Sequence, residues 1–358
     1  MGDHPYATQP AHAKWSKAVA RARISDVDPV VQGRFLIGLD DKVVTAGSCF
    51  AQHIARRLSG SGFNFHVTEK PHPLIAPEIA ETYNYGVFSA RYGNVYTSRQ
   101  LLELLLRAQG SFEPLESHWL DDAGNFYDPY RPAVHPGGFA SLEELIQDRD
   151  QHLRATLRAF EEMDVFIFTL GLTEGWISSA DGANFPSCPG VIAGKYNPDR
   201  YRFINLSVEQ VVSDVSEFIR NVRSFNPSFR MILTVSPVPL AATATDQHVL
   251  TATSYSKAVL RVAAELISAE DPELIAYFPS YEIITGNFSR GAYYAEDLRN
   301  VLESGVDHVM KLFFRHYTSV DVEDLGNSNT ISPTFQELDH MNRLVRVQCE
   351  EAMLDSGL

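Results

Sequence analysis

Five short apolar runs, separated by helical patterns, constrain the fold of this chain more than any other feature of its sequence. They are rich in Val, Ile and Phe and comprise 43–47 (VVTAG), 63–67 (FNFHV), 165–169 (VFIFT), 231–235 (MILTV) and 274–278 (LIAYF). Runs of this length that are apolar on both faces are typical of parallel strands covered by helices. The alternation therefore predicts a doubly wound α/β domain with a central five-stranded parallel sheet.

The stretches between these runs carry apolar residues at helical spacing. Ser207 is expected to cap a helix over "VEQVVSDVSEFIRNV", because Ser accepts a hydrogen bond from the free amides of a first turn. The other helices are predicted over 50–59, 98–108, 141–163, 253–269, 305–316 and 333–354.

The spacing of the predicted strands is uneven in one place. Residues 68–164 separate the second run from the third, and 70–140 is rich in Tyr, Pro, His and Gly. A loop of this length in a compact domain usually carries function. We interpret 70–140 as a lid-like insertion after the second strand, within an α/β domain over 41–317. We expect 1–40 to be an N-terminal segment wrapped on the core and 318–358 a C-terminal helical extension.

Composition excludes several classes of partner. The chain has 358 residues and a formal net charge of -15, which argues against nucleic acid or an anionic membrane surface. An uncharged or weakly charged small molecule fits better. The N-terminus lacks a basic-then-apolar signal pattern, and no run of about 18 apolar residues occurs, so we expect a cytoplasmic protein. The oligomeric state stays open.

Cofactor motifs are also missing from the sequence. Cys49, Cys188 and Cys349 are widely spaced and match no metal-ligand pattern, so we expect unpaired thiols and no bound metal. No Gly-rich phosphate loop follows a predicted strand, and no cofactor is predicted.

Ligands of open parallel sheets bind outside the carboxyl ends of the strands, which directs attention to the residues that follow each run. These are small or hydroxylated: 47–49 (GSC), 171–174 (GLTE), 236–237 (SP) and 279–282 (PSYE). Ser48 stands at a strand-to-helix turn, where the free amides of a helix can stabilise an anion. A Ser at this position is most often a helix cap, and a Cys such as Cys49 is most often a small apolar residue. Position alone leaves the role of Ser48 open.

A set of longer motifs resolves this ambiguity by resemblance. The segments "GSCFA", "YGNVYTSRQLLELL", "FIFTLGLTEGW", "LTVSPVPL" and "YYAEDLRNVLESGVDHVM" occur in this order and resemble the GSCFA domain family. That family is similar to the SGNH or GDSL hydrolases, which are flavodoxin-like α/β enzymes acting on esters. The resemblance runs from about Lys42 to about Tyr317. It implies a flavodoxin-like three-layer sandwich and a small ester or an acylated carbohydrate as substrate.

The resemblance also implies roles for individual residues. Ser48 matches the SGNH nucleophile, and Gly93 matches the glycine whose amide helps to hold the oxyanion, with Asn94 beside it. Thr173 stands where SGNH enzymes have an oxyanion-binding Asn, and its hydroxyl can still donate one hydrogen bond. The neighbouring Gly171 and Glu174, together with Asn94, are then expected to contact substrate.

The last motif departs from the SGNH pattern. SGNH enzymes have Asp-x-x-His, whereas 297–300 (DLRN) places Asn300 at the position of the general base. An amide cannot take the proton of Ser48. His308 is the first candidate for a replacement base, with Asp297 as the carboxylate that orients it and Asp307 adjoining it.

Other imidazoles and other readings remain open. His72 or His118 of the insertion are alternative bases, while His53 is expected to face away from the strand end. The leading hypothesis is an SGNH-like serine hydrolase or acyl-transfer enzyme that works through an acyl-Ser48. The alternative is a catalytically degenerate SGNH fold that binds a carbohydrate or acyl ligand. A Cys49 nucleophile is a minor third option.

Overall fold

The computed structural model describes residues 4–318 and 353–354. The strands are β1 (Val43–Gly47), β2 (Trp119–Leu120), β3 (Phe126–Tyr127), β4 (Val165–Leu170), β5 (Glu174–Ser178), β6 (Asn184–Phe185), β7 (Tyr201–Asn205), β8 (Arg230–Val235) and β9 (Ile275–Tyr277). The helices are α1 (Cys49–Gly60), α2 (Pro77–Thr82), α3 (Ser98–Ala108), α4 (Leu142–Glu162), α5 (Val208–Arg223), α6 (Val249–Glu270), α7 (Ser280–Thr285) and α8 (Glu303–Tyr317).

A four-stranded parallel sheet forms the centre of the fold, in the order β1-β4-β8-β9. Every residue of β1 and β4 is buried, as the absence of polar alternation in these strands predicts. Gly47 pairs with Thr169 at the carboxyl ends of β1 and β4. The residues that follow β1 and β4 therefore meet at one edge of the sheet.

Helices cover both faces of this sheet. Phe166 and Phe168 of β4 point into a core that also contains residues of α3, α5 and α6. Val165 and Ile167 point to the opposite face, into a core shared with α1, α7 and α8. The two faces alternate along β4 because successive side chains of a strand point in opposite directions. The observed architecture is an α/β fold with helices on both sides of a parallel sheet.

The prediction of five strands is wrong for 63–67. Here the structure has a single bridge between Val43 and Phe65, supported by two backbone hydrogen bonds of 2.9 Å. Beyond His66 the chain turns away from β1. The Ser89 hydroxyl then accepts the Thr45 amide proton at 3.2 Å, so a side chain takes the place of the strand backbone. The run also alternates apolar and polar residues, which suits a half-exposed edge better than a buried strand.

Two small antiparallel sheets were not predicted. One has the order β6-β5-β7 and follows directly after β4, with Glu174 opposite Asn205. The other is the β2–β3 pair within the insertion. Their strands are short, and their polar residues gave no apolar run to detect.

The helix predictions over the described residues are confirmed to within a few residues at each end. Ser207 does cap α5, where its hydroxyl accepts the Gln210 amide and the Gln210 side chain accepts the Ser207 amide in return. The helix predicted over 333–354 lies outside the described residues apart from its last two positions.

The insertion is bound to the domain through buried ion pairs. The guanidinium groups of Arg91 and Arg131 contact the Asp148 carboxylate on α4 at 2.6 and 2.8 Å. Asp128 is wholly buried and contacts Arg131 at 3.0 Å and Arg149 at 3.1 Å. These arginines hold the pKa of the Asp128 carboxyl well below its usual value, against the opposing effect of burial.

The N-terminal segment lies against α8 and the end of the sheet. The Ile37 amide donates to the Tyr317 carbonyl at 2.7 Å, and the Arg34 guanidinium donates to the Ile275 carbonyl at 2.9 Å. Asp28 contacts His316 at 2.7 Å.

Candidate active site at the carboxyl ends of the strands

Ser48 occupies the cap position of α1 without acting as a side-chain cap. Ser48 is 4% exposed, and within the described part of the chain its Oγ makes no hydrogen bond. The Ser48 carbonyl begins the helix instead, by accepting the Ala51 amide proton at 2.9 Å. A capping serine would have committed its hydroxyl to a first-turn amide. The Ser48 hydroxyl is therefore uncommitted at the positive end of a helix.

Two glycines allow the chain to bring Ser48 into this position. Gly47 has φ +146°, and a β-carbon there would lie 2.6 Å from the Thr169 carbonyl oxygen. On the other side, a β-carbon on Gly171 would lie 2.9 Å from Ser48 Cβ and 3.4 Å from Ser48 Oγ. A larger residue at either position would displace the turn that carries Ser48.

The segment around Gly93 runs beside this turn. Gly93 has φ +68°, a conformation that favours glycine, and Val95 two residues on donates its amide proton to the Gly47 carbonyl at 2.9 Å. The Tyr96 carbonyl accepts the Gly171 amide at 3.1 Å and the adjoining Leu172 amide at 2.9 Å. Asn94 Oδ1 accepts a hydrogen bond from Gln52 of α1 at 3.1 Å. The first three predicted motifs thus meet at one place.

Thr173 and Glu174 are committed to other partners. The Thr173 hydroxyl donates to Asn205 Oδ1 at 2.6 Å, and a threonine has one hydroxyl proton to give. Glu174 accepts hydrogen bonds from the Thr243 hydroxyl at 2.6 Å and the Ala244 amide at 3.1 Å. In this conformation the Thr173 proton is directed at Asn205, and the expected roles of Thr173 and Glu174 in binding substrate stay predictions.

Three residues at this edge escaped the sequence analysis. Asn205 ends β7, which was itself not predicted. On α6, the Ser256 hydroxyl accepts the Thr173 amide proton at 3.1 Å, and the Lys257 ammonium donates to the Gly171 carbonyl at 2.7 Å. Neither helix residue carries a local signal, since Ser and Lys are ordinary on a helix and their burial depends on packing with distant segments.

Asp297 and Asn300 form one polar turn. The Asn300 side-chain amide donates to the Asp297 carboxylate, which also accepts the Asn300 backbone amide at 2.9 Å. Although partial burial acts to raise it, the pKa of Asp297 is lowered by these amide hydrogen bonds. Arg299 joins the turn to the loop after β8, where its Nε donates to the Pro239 carbonyl at 3.3 Å.

His308 makes its hydrogen bond with a residue other than Ser48 or Asp297. Its Nδ1 lies 2.7 Å from the Tyr293 hydroxyl, and burial lowers its pKa. The carboxylate of the neighbouring Asp307 pairs with Arg57. Because the Ser48 hydroxyl makes no hydrogen bond among the described residues, no imidazole there is positioned to accept its proton.

The other candidate imidazoles also have separate surroundings. His53 is buried within α1, and burial with a contribution from Arg56 and Arg57 lowers its pKa to about 4. His72 is exposed and accepts the Leu74 amide at 3.3 Å, while His118 lies 2.9 Å from the Ser117 hydroxyl. None of these contacts supports His72 or His118 as the base that takes the Ser48 proton.

Cys49 packs into an apolar cluster with Tyr96, Leu172, Leu240 and Ala252. In the described ranges, no group of three or more His, Cys, Asp or Glu side chains is arranged to hold a metal ion. None of the helices within those ranges has the length and apolarity needed to span a bilayer.

The parallel sheet and the serine-bearing turn at its carboxyl edge define an α/β protein with a strand-to-helix serine site. The chain belongs to the GSCFA family, whose model matches residues 42–313. A search of curated proteins finds no match.

Two solved structures show a weak similarity. One is described as "a putative platelet activating factor from Streptococcus pneumonia", with 12% identity, a TM-score of 0.27, and coverage of 48% of this chain and 66% of that one. The other is an acetyl xylan esterase from the rumen bacterium Butyrivibrio proteoclasticus, with 14% identity, a TM-score of 0.24, and coverage of 67% of this chain and 55% of that one. The chain thus spans less than two thirds of the length of either, and TM-scores this low support no inference about it.

Proposed function

We propose that this protein is an SGNH-like ester hydrolase or acyl-transfer enzyme that works through an acyl-Ser48 intermediate. The observation that supports the proposal is the uncommitted, buried Ser48 hydroxyl at the N-terminus of α1. Acylated carbohydrates are the substrate class to test first, on the strength of the SGNH resemblance alone. Because the hydroxyl is enclosed in this conformation, substrate reaches it only when the residues around it move.

In the proposed reaction, Ser48 Oγ attacks the ester carbonyl carbon while a general base takes the Ser48 proton. The base passes that proton to the departing oxygen, so that the alcohol leaves and the acyl group stays on Ser48. Water or a second alcohol then takes the acyl group from Ser48. The oxyanion is stabilised by the Ser48 and Gly93 amides, with the Thr173 hydroxyl turning from Asn205 to add a third donor. The sequence pattern suggests His308 as the base and Asp297 as its carboxylate partner, whereas in this conformation His308 is hydrogen-bonded to Tyr293 and Asp297 to Asn300. The proposal therefore depends on Ser48 rather than on that base.

A fluorophosphonate probe tests the proposal directly. Intact protein should gain the label at Ser48, and Ser48→Ala should not. Ser207→Ala is the matched control, because that serine is an ordinary helix cap and its loss should leave labelling unchanged. Absence of labelling in the wild-type protein across a range of pH would refute the serine nucleophile. If Ser48→Ala kept esterase activity and that activity remained sensitive to iodoacetamide, Cys49 would instead be favoured as the nucleophile.

One observation favours a second function, a catalytically degenerate SGNH fold that binds a carbohydrate or acyl ligand. By the SGNH resemblance Asn300 stands at the position of the general base, and its side chain is hydrogen-bonded to Asp297. A protein of this kind would bind an acylated glycan by calorimetry and turn over no short-chain p-nitrophenyl ester. If Asn300→His then raised esterase activity, the site would be a triad that has lost its base.

A further inference from the structure

We propose that Lys257 is a positioning residue for Ser48, supplying a buried positive charge to the site through the carbonyl group of Gly171. This inference rests on the proposed role of Ser48 as nucleophile. It assigns a function to a helix residue that no SGNH-like motif of the sequence includes.

The contacts of α6 place Lys257 beneath the turn after β4. Lys257 is 1% exposed, and its Nζ donates to the Gly171 carbonyl oxygen at 2.7 Å. The preceding residue, Ser256, accepts the Thr173 amide at 3.1 Å. Consecutive residues of one long helix therefore hold both ends of the Gly171–Thr173 turn, which fixes the turn relative to the sheet.

The same turn forms one wall of the Ser48 position. Gly171 lies so close to Ser48 that a β-carbon on it would meet Ser48 Cβ at 2.9 Å. A single residue thus separates the ammonium group from the side chain of Ser48. Across a single residue, a charge in the protein interior interacts with a neighbouring charge far more strongly than it would in water.

This arrangement has a direct chemical consequence. Negative charge develops on the substrate oxygen when Ser48 attacks, and a nearby fixed cation stabilises it without reorganisation. The free amides at the start of α1 act in the same direction. The proton of Ser48 goes to a separate base, and Lys257 takes no part in that transfer.

The burial of Lys257 is itself informative. Removing an ammonium group from water is costly, and an apolar side chain of similar length would pack at a buried helix position without that cost. At this position the Lys257 ammonium donates to the Gly171 carbonyl, in the wall of the serine site.

The experiment compares fluorophosphonate labelling kinetics of the full chain with those of three variants. Lys257→Met removes the charge at similar length, and Lys257→Arg keeps it. The control, Arg261→Met, removes a cation one turn along the same helix that pairs with Glu282 at 2.7 Å. For each variant, the maximal labelling rate and the half-saturating probe concentration are measured, and folding is checked by thermal denaturation.

We expect Lys257→Met to lower the maximal rate about 10- to 100-fold with little change in the half-saturating concentration. Lys257→Arg should recover most of that loss, and Arg261→Met should label like the wild type. Wild-type labelling by Lys257→Met would overturn the inference while leaving the serine nucleophile intact. So would a folded Lys257→Arg that is as slow as Lys257→Met. If Lys257→Met does not fold, Lys257→Arg decides alone: labelling within about tenfold of the wild type supports the inference, and a folded but inert protein overturns it.

Discussion

Ser48 and Gly171 pack so closely that residue 171 has no room for a β-carbon. The nearest atoms to such a carbon are Ser48 Cβ at 2.9 Å and the Tyr96 carbonyl oxygen at 3.0 Å. Neither neighbour is the end of a flexible side chain, so both would have to shift. The geometry of the proposed nucleophile therefore depends on a residue that follows a different strand, far away in sequence.

Substitution of Gly171 should affect labelling more than folding. In Gly171→Ala the added methyl group displaces Ser48, and a displacement of about 1 Å at a reacting atom costs roughly 100-fold in rate. Overpacking of this kind typically costs about 1–3 kcal/mol of stability. Gly60→Ala is the control, since a β-carbon there meets nothing within 4 Å. Fluorophosphonate labelling and thermal denaturation measure both effects, and normal labelling of Gly171→Ala would contradict the close packing.

The hydrogen bond between Thr173 and Asn205 predicts a sharp difference between two similar substitutions. Thr173→Val leaves Asn205 Oδ1 without its donor and should lower the free energy of unfolding by about 1–3 kcal/mol. Thr173→Ser keeps the hydroxyl and should lose clearly less. Urea denaturation of both variants measures the difference. Equal losses in the two would contradict this expectation, because the methyl group of Thr173 would then stabilise the turn as much as the hydroxyl does.

Replacement of Glu103 by Gln should raise the free energy of unfolding at high pH. Glu103 is buried on α3 and accepts the Asn184 amide at 2.7 Å, and burial raises its pKa from 4.5 to about 7. The folded state therefore holds this proton more tightly than the unfolded state, and the stability from Glu103 is lost as pH rises from about 4.5 through 7. Glu103→Gln should be more stable than the wild type at pH 8, by up to about 3 kcal/mol.

The same variant should show no such gain at pH 4, where the wild-type carboxyl is already protonated in both states. Denaturant unfolding at the two pH values isolates the effect, because the other titrating groups are shared by both proteins. A stability difference that does not change between pH 4 and pH 8 would contradict the raised pKa of Glu103.

The ion pairs of Asp128 predict a large loss of stability on neutralisation. Asp128→Asn leaves the buried guanidinium of Arg131 with a weakened partner, and breaking a buried pair typically costs about 3–5 kcal/mol. Asp122→Asn is the control, because Asp122 is almost fully exposed and lies 3.8 Å from Lys195. Its loss should leave the unfolding midpoint unchanged within error. A similar effect of the two substitutions would mean that the Asp128 cluster does not stabilise the insertion.

Local pattern was enough to predict the framework of this protein. Strands such as β1 and β4 are continuous apolar runs, and that property follows from burial on both faces of a sheet. Helices such as α5 are recognisable from apolar residues at helical spacing and from a capping serine. The position of Ser48 at a strand-to-helix turn was visible for the same reason, since both elements are encoded by neighbouring residues.

What the hydroxyl of Ser48 does there depended on tertiary structure. Its freedom from a capping bond, its packing against Gly171, and the buried Lys257 behind that glycine all join segments that are distant along the chain. The same holds for the loss of the predicted strand at 63–67, where the Ser89 side chain replaces backbone pairing. Residue type and spacing determine which elements form, whereas contacts across the sheet decide which polar groups are left unsatisfied and what charges surround them.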